Sequence, residues 1–178
     1  YYTNPIALIY SVAKLAKGEE IASNKPLIAV GRDAAIAPAT HRPKLVIFVV
    51  GETARADRFS LNGYDRETNP LLSKENLVSL ENVMSSGTST STSVPCMFSS
   101  MPARGFNIKK ALHTENLLDI LNAVGVSVLW RDNNSDSKGV ATRITYEDYK
   151  DEFTNPPIDG EPRDEGMLLG LQEYIDEQ

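Results

Sequence analysis

The six residues from Leu45 to Val50 form one unbroken apolar run, Leu-Val-Ile-Phe-Val-Val, which ends at Gly51. The run is too short for a helix, and no polar residue alternates within it. An apolar run without alternation is typical of a strand buried on both faces, as in the centre of a parallel sheet that helices cover. The sequence therefore predicts an α/β fold with a central strand at residues 45–50.

A second apolar run, residues 124–130, ends in the polar sequence Arg-Asp-Asn-Asn. Before it, apolar side chains at helical spacing from Leu117 to Leu121 predict a helix that Thr114 caps and that ends near Gly125. The order strand, connection, helix and strand is the pattern of parallel α/β proteins. The apolar residues between 167 and 175 predict a final amphipathic helix.

Residues 1–43 have a different character. Asn4-Pro5 marks a helix start, apolar residues at helical spacing follow, and Gly18 offers a stop. Such a helix either packs on a core or rests at a membrane surface, and the sequence leaves both open. The segment from Glu19 to Pro43 contains three prolines and no sustained period, which predicts an extended connector.

Composition excludes several classes of protein. The 178 residues carry 18 basic and 24 acidic side chains, and the net charge of -6 does not suit a nucleic-acid surface. A helix that spans a bilayer needs about 18 or more uncharged apolar residues in a row, and the sequence contains no such stretch. The single Cys96 cannot form an intrachain disulfide and is expected to be a buried, inert thiol. Because the sequence opens with neither an initiator methionine nor a signal peptide, we expect it to be a piece of a longer protein.

Polar residues follow the first predicted strand, at the position where parallel sheets bind their ligands. In this first cluster, residues 51–57, Glu52 lies at the rim of the strand, where a carboxylate could hold a metal. Alternatively, Glu52 caps the following turn or pairs with Arg55. The residues alone leave these alternatives open.

Two further polar clusters stand out. Residues 86–93 are a run of hydroxyl side chains before Pro95 and an apolar segment, which indicates a loop entering a helix. A hydroxyl there could act as an alkoxide nucleophile or hold a phosphate, although an exposed linker with one capping residue would look similar. Residues 133–139 combine amides, hydroxyls and a lysine that could bind an anion, or they form a surface turn. His41 and His113 lack metal-ligand spacing and are expected to be solvated or structural.

Several motifs, in this order, resemble the phosphoethanolamine transferases that decorate bacterial lipid A, a family that includes the mobile colistin-resistance enzymes. The motifs are VVGETARAD (49–57), SLNGYDRETNP (60–70), SGTSTSTSVPCMFS (86–99) and VLWRDNNSDSKGV (128–140), with a weaker match at RDEGML (163–168). The resemblance runs from about Lys44 to the end of the chain. Asn4 to Lys17 resembles the segment that links the membrane and catalytic parts of that family.

The resemblance implies an α/β fold, an alkaline-phosphatase/sulfatase-like parallel-sheet sandwich. Residues 44–178 would be the N-terminal portion of its periplasmic catalytic domain, and residues 1–43 a linker with an amphipathic helix. It also implies a zinc-dependent inner-membrane enzyme with membrane helices upstream. We expect the protein to act as a monomer and, from its charge, to bind no nucleic acid. This enzyme would transfer phosphoethanolamine from phosphatidylethanolamine to a lipid A phosphate through a threonine-bound intermediate and confer polymyxin resistance. The alternatives are a zinc-dependent phosphate-ester hydrolase or sulfatase-like relative, and a catalytically dead binding domain.

By position in the motifs, the resemblance assigns the nucleophile to Thr90 and zinc ligands to Glu52 and Thr90. It assigns substrate contacts to Thr88, Asn134, Ser135 and Lys138. The family's remaining zinc ligands and its substrate histidines are expected downstream of Gln178. We therefore expect these residues alone to bind zinc weakly and to be inactive.

The chain departs from the family at its cysteines. Many members have a cysteine at the position of Ser86, which pairs with the one at Cys96, and others where this chain has Pro157 and Pro162. These disulfides are therefore expected to be absent, which would make the nucleophile loop more mobile. We expect reducing agents to leave the melting temperature unchanged.

Overall fold

The computed structural model describes residues 26–37, 44–157, 160 and 163–178. The predicted N-terminal helix lies outside these residues. The chain divides into two compact units, one formed by the residues up to Ile36 together with Val94–Gln178, and the other by Ala37–Ser93. No helix in the described ranges is long and apolar enough to cross a membrane.

The regular elements are short. The helices are α1 (Thr90–Phe98), α2 (Ile108–Ala111), α3 (Leu117–Ala123) and α4 (Leu171–Asp176), and the strands are β1 (Leu129–Asp132) and β2 (Thr145–Asp148). Four 3₁₀ helices accompany them in the described residues, at Ala56–Arg58, Ser60–Asn62, Leu72–Lys74 and Asp164–Leu168. The predicted final helix is thus a 3₁₀ turn followed by α4.

Strands β1 and β2 pair in parallel, with Leu129 opposite Thr145 and Asp132 opposite Asp148. A parallel pair needs a long crossover, and here residues 133–144 supply it. The crossover begins at the carboxyl end of β1, where α/β proteins bind their ligands. The predicted parallel α/β architecture is confirmed, and the third polar cluster lies on this crossover.

Helix α3 is capped by Asn116, not by the predicted cap Thr114. The Asn116 side chain accepts hydrogen bonds from the N–H groups of Leu118 and Asp119, and the Asp119 carboxylate accepts the Asn116 N–H in return. This reciprocal capping box satisfies N–H groups that have no partner within the helix. The Thr114 hydroxyl donates instead to the Lys110 carbonyl of α2 at 2.8 Å. It therefore binds the end of α2 and does not cap α3.

The core of the sheet-containing unit lies around α1, α3 and the crossover. Its buried apolar residues are Val94, Cys96, Phe98, Leu118, Val140 and Ala141. Phe98 meets the Trp130 ring edge to face, with centroids 5.6 Å apart. Cys96 is a free, buried thiol, as the sequence predicts.

Part of the predicted connector docks on this unit. Ile28 forms a parallel bridge with Thr114, and the Ile28 carbonyl accepts the Glu115 N–H at 2.9 Å. Glu115 also accepts the Val30 N–H at 3.0 Å through its side chain. The backbone groups of Ile28 and Val30 therefore have hydrogen-bond partners far along the chain.

The prediction of a buried central strand at residues 45–50 is wrong for the structure described. These residues are not part of a strand, and each residue from Leu45 to Val49 is 61–83% exposed. An apolar run becomes a buried strand only where other strands and helices cover it, and the described residues of this unit leave it open. Gly51 and Glu52 still follow the run directly.

Candidate active site

Glu52 and Thr90 lie together in the unit formed by Ala37–Ser93. The Thr90 hydroxyl donates a hydrogen bond to Oε2 of Glu52 across 3.0 Å. Glu52 follows the apolar run 45–50, and Thr90 is the first residue of α1. The structure thus brings together the two residues that the motifs indicate as nucleophile and metal ligand.

The other oxygen of Glu52 faces its neighbour Thr53, whose hydroxyl donates to Oε1 at 3.4 Å. Thr53 has a φ of 52°, in the left-handed region that β-branched residues rarely adopt. Strained backbone of this kind is concentrated at functional sites. The strain here sits directly beside the candidate ligand.

Arg55 does not pair with Glu52. Its guanidinium binds both oxygens of the Asp57 carboxylate at 2.9 Å. The hydrogen bond from Arg55 also holds the pKa of Asp57 below its usual value. The alternative in which Arg55 pairs with Glu52 is therefore wrong, and the Glu52 carboxylate keeps its bond to Thr90.

The hydroxyl run enters a helix rather than forming a linker. The Ser89 carbonyl accepts the N–H groups of Thr92 and Ser93, both at 2.9 Å. A helix N-terminus favours negative charge because its first N–H groups have no partner within the helix. Thr90 is half-buried at this position, and Thr88 is exposed just before it. The run leads into a helix as the sequence predicts, and α1 already begins within the run, at Thr90.

Gly87 allows the loop to turn tightly against the helix. A Cβ built on Gly87 would lie 3.0 Å from the Thr92 methyl carbon, closer than ordinary contacts. Glycine removes that contact and lets the loop backbone pass beside the first turn of α1. The hydroxyl run is therefore ordered by packing as well as by hydrogen bonds.

The candidate substrate residues Asn134, Ser135 and Lys138 lie on the crossover of the other unit. The Lys138 ammonium donates to the Ser135 carbonyl and lies 3.6 Å from Oδ1 of Asp136. Asp136 and Lys138 both have positive φ, at 76° and 52°. The crossover is a tightly wound turn in which Lys138 bonds to its own loop, so the structure brings these three residues together.

Two organising residues were missed by the sequence analysis. Asp132, at the end of β1, is 7% exposed and accepts the N–H groups of Asn134 and Asp136. Asn155 is 2% exposed and donates to the side-chain oxygen of Asn133 and to the Tyr149 and Arg163 carbonyls. The signal for Asp132 is an acidic residue closing a predicted strand, whereas nothing local in the sequence marks Asn155.

The Glu52–Thr90 pair fits part of a metal site. Two oxygen ligands of a tetrahedral Zn²⁺, each at about 2.0–2.2 Å, lie roughly 3.3–3.6 Å apart, and the two oxygens here are 3.0 Å apart. Within the described ranges, no group of three or more His, Cys, Asp or Glu side chains could hold a metal. His113 bonds through its Nδ1 to the Lys109 carbonyl. One carboxylate and one hydroxyl therefore supply two of the three or four protein ligands that zinc needs.

Comparison with known proteins adds independent information. The family described as Sulfatase matches residues 44–178. Phosphatidylethanolamine transferase Mcr-1 of Escherichia coli is 47% identical over 186 aligned residues, covering 98% of this chain and 34% of the relative. The chain thus spans about a third of the length of this curated relative.

Solved structures of phosphoethanolamine transferases are also similar to this chain. The integral membrane protein lipooligosaccharide phosphoethanolamine transferase A (EptA) of Neisseria meningitidis superposes with a TM-score of 0.82 at 35% identity, over 94% of this chain and 32% of that one. The soluble domain of the same organism's transferase A gives 0.79 at 37% identity, over 88% of this chain and 48% of that one. The resemblance to lipid A phosphoethanolamine transferases and the sulfatase-like fold are confirmed. Since the family match runs through residues 44–178, the chain belongs to the sulfatase family.

Proposed function

We propose that this chain is part of an enzyme that transfers phosphoethanolamine from phosphatidylethanolamine to a lipid A phosphate. The observation that carries the proposal is the hydrogen bond from the Thr90 hydroxyl to Glu52 at 3.0 Å. It supplies a nucleophile oriented by a carboxylate, and the names of the relatives give the group that is transferred. Residues 44–178 would form the N-terminal part of the catalytic domain, and residues 1–43 its linker.

In the first step, Oγ1 of Thr90 forms a bond to the phosphorus of phosphatidylethanolamine while the bond from phosphorus to the diacylglycerol oxygen breaks. Glu52 holds the hydroxyl proton through Oε2, because that is the atom to which Thr90 donates. The proton ends on the diacylglycerol oxygen. The product is phosphoethanolamine esterified to Thr90.

In the second step, an oxygen of the lipid A phosphate bonds to the same phosphorus, and the bond to Oγ1 of Thr90 breaks. Thr90 recovers its proton from the acceptor phosphate or from water, and the product is a phosphoethanolamine-capped lipid A. The N-terminus of α1 stabilises the negative charge that gathers near Thr90 in both steps. Phosphoryl transfer of this kind depends on positioning and electrostatics.

Glu52 and Thr90 would hold a zinc ion, with the remaining ligands expected downstream of Gln178. Bound zinc would favour the deprotonated hydroxyl and neutralise charge at phosphorus. Thr88, Asn134, Ser135 and Lys138 would bind the substrate, with Lys138 exchanging its bond to the Ser135 carbonyl for a phosphate oxygen. The enzyme would work as a monomer at the bacterial inner membrane with its catalytic part in the periplasm, and lipid A modification would give polymyxin resistance.

The test is to express the full-length protein in a bacterium without other phosphoethanolamine transferases and to analyse lipid A by mass spectrometry. We expect phosphoethanolamine on lipid A from the wild type, none from Thr90→Ala, and normal levels from Ser91→Ala. Ser91 is the matched control because it is an exposed hydroxyl one residue further along α1. Peptide mapping should find phosphoethanolamine on Thr90 in the wild type treated with donor.

Two outcomes would overturn the proposal. If Thr90→Ala transferred phosphoethanolamine at the wild-type level, Thr90 would be excluded as the nucleophile. Release of free phosphoethanolamine with unmodified lipid A would make the enzyme a hydrolase, with water as the acceptor.

A further inference from the structure

Asp132 stands where β1 ends and the crossover begins, and both of its carboxylate oxygens are used. Oδ1 accepts the Asn134 N–H at 2.8 Å and the Asp136 N–H at 3.3 Å. Oδ2 accepts the indole N–H of Trp130 at 3.2 Å. One side chain thus collects three donors, two of them from the backbone of the crossover.

The rest of Asp132 is fixed as well. Its carbonyl accepts the Tyr149 N–H at 2.8 Å, and its side chain is 6% exposed. The Lys150 ammonium lies 4.0 Å from Oδ1, but it is closer to Asp148, at 2.9 Å. The charge of Asp132 is therefore stabilised mainly by N–H donors, which make short, strong bonds to a carboxylate.

The crossover that Asp132 holds is the segment with the candidate substrate residues. Its backbone is wound through positive φ at Asp136 and Lys138, which costs free energy and requires support from the surroundings. Asp132 supplies that support: Oδ1 bonds to Asn134 itself and to Asp136. Asp136 in turn accepts the Lys138 N–H through its own side chain at 2.6 Å. A chain of bonds therefore runs from Trp130, which packs on the core residue Phe98, to Lys138.

We propose that Asp132 is the positioning residue of the substrate loop, residues 133–139, and fixes the geometry in which Asn134 and Lys138 meet the phosphate of the donor. This inference rests on the proposed function, because that function assigns the loop to substrate. Asp132 touches no substrate itself. Its carboxylate acts through backbone N–H groups, and its burial behind the loop keeps its negative charge bonded to them.

The experiment uses the purified full-length enzyme and measures kcat and KM for phosphatidylethanolamine in Asp132→Asn and Asp132→Ala. The amide of Asp132→Asn keeps one acceptor oxygen but presents an NH₂ group to a donor. We expect KM to rise roughly tenfold or more in Asp132→Ala, with a smaller rise in Asp132→Asn and little change in kcat, since bonds to a charged acceptor are lost. Hydrogen exchange of peptides covering residues 133–139 should quicken in the same order.

Asp148→Asn is the matched control. Asp148 is the register partner of Asp132 on β2, and its side chain is 46% exposed. We expect Asp148→Asn to leave KM and loop exchange at wild-type values.

The two proposals can fail separately. If wild-type enzyme transfers phosphoethanolamine, Thr90→Ala does not, and Asp132→Ala keeps a wild-type KM, then the role of Asp132 alone is overturned. A loss of kcat with unchanged KM, or unchanged exchange of residues 133–139, overturns it as well. Activity in Thr90→Ala would instead overturn the proposed function.

Discussion

The Thr90 hydroxyl donates to the Glu52 carboxylate at 3.0 Å, although 38 residues separate the two in sequence. The contact joins the end of an apolar run to the first residue of a helix. It aligns the hydroxyl oxygen with respect to the carboxylate before any substrate is present. A substitution at Glu52 that leaves Thr90 in place therefore tests the role of the carboxylate by itself.

Glu52→Gln should keep the contact but remove its charge. The amide oxygen can still accept the Thr90 hydroxyl, so we expect a folded protein with a wild-type melting temperature. In the proposed function the carboxylate is both proton acceptor and metal ligand, so we expect transfer to lipid A to fall by at least about a hundredfold. The bound zinc of the purified full-length protein, measured by elemental analysis, should fall in parallel.

Glu81→Gln is the control for this prediction, since Glu81 is an exposed carboxylate of the same unit. It should retain both transfer and zinc. Full zinc content together with full activity in Glu52→Gln would exclude Glu52 from the site.

Gly166 is predicted to be intolerant of any side chain. A Cβ at this position would overlap the amide of the buried Asn155, which holds the Tyr149 and Arg163 carbonyls. Because Asn155 is bonded to several partners, it cannot move aside cheaply, and we expect Gly166→Ala to lower stability by about 1–3 kcal/mol. Chemical denaturation should show a lower midpoint than for the wild type. Gly51→Ala, whose Cβ would meet only the Ala54 methyl at 3.7 Å, should change it little.

Sequence patterns predicted the elements that depend on local order and missed those that depend on distant contacts. A helix after the hydroxyl loop follows from hydroxyls preceding apolar residues, although α1 already begins inside that run at Thr90. Strand β1 begins in the second apolar run at Leu129 and continues beyond it to Asp132. Thr114 failed as a cap because a carbonyl four residues earlier binds its hydroxyl. Asn155 could not be found, since its partners lie up to 22 positions away and only folding brings them together.

In the candidate site, too, some features could be predicted from the sequence and others depend on contacts that form only on folding. The motifs identified Glu52 and Thr90, and the structure places their oxygens within hydrogen-bonding distance. Periodicity could not show that residues 45–49 remain exposed, because burial depends on the segments that cover a strand. Nor could it show that Arg55 prefers Asp57, since both acidic residues lie within a few positions of it.

The pair Asp148 and Lys150 predicts a pH dependence at the end of β2. The hydrogen bond from Lys150 lowers the pKa of Asp148, and that bond raises the pKa of Lys150. A lowered carboxyl pKa stabilises the fold above the unfolded-state value of about 3.9, and the contribution is lost as the pH falls through the folded-state pKa. For Lys150 the sign is opposite: its contribution is present below about pH 10.4 and is lost as the pH rises through the raised value.

The measurement is a carboxyl titration by NMR. In Lys150→Met, the pKa of Asp148 should move up towards its usual value, because the hydrogen bond that lowers it most is gone. Lys74→Met, which removes an exposed lysine from the other unit, should leave it unchanged. An Asp148 pKa that stays low in Lys150→Met would show that another group holds it.

Cys96 is predicted to be protected from thiol reagents. It is buried and unpaired, and it lies within α1 among core residues. Alkylation should therefore proceed slowly in the native protein and rapidly after denaturation, as peptide mapping can show. Because Cys96 is a free thiol in the structure, a peptide containing Cys96 should have the same mass with and without reductant.

Glu115 is predicted to hold residues 28–32 on the sheet-containing unit. Its Oε2 accepts the Val30 N–H at 3.0 Å, and its Oε1 pairs with Arg32 at 3.2 Å. The two contacts are expected to differ in how much they stabilise the segment. The Arg32 side chain is 74% exposed, so water screens its ion pair, whereas the Glu115 side chain is 17% exposed and its bond to the backbone is sheltered.

Glu115→Ala and Arg32→Ala therefore separate the two contacts. We expect hydrogen exchange of residues 26–33 to quicken roughly tenfold in Glu115→Ala, because an N–H loses a charged acceptor. In Arg32→Ala we expect a change of less than about threefold, as for other exposed ion pairs. Equal acceleration in both variants would mean that the ion pair, and not the bond to Val30, secures the segment. In that case the exposure of Arg32 would be a poor guide to the strength of its contact.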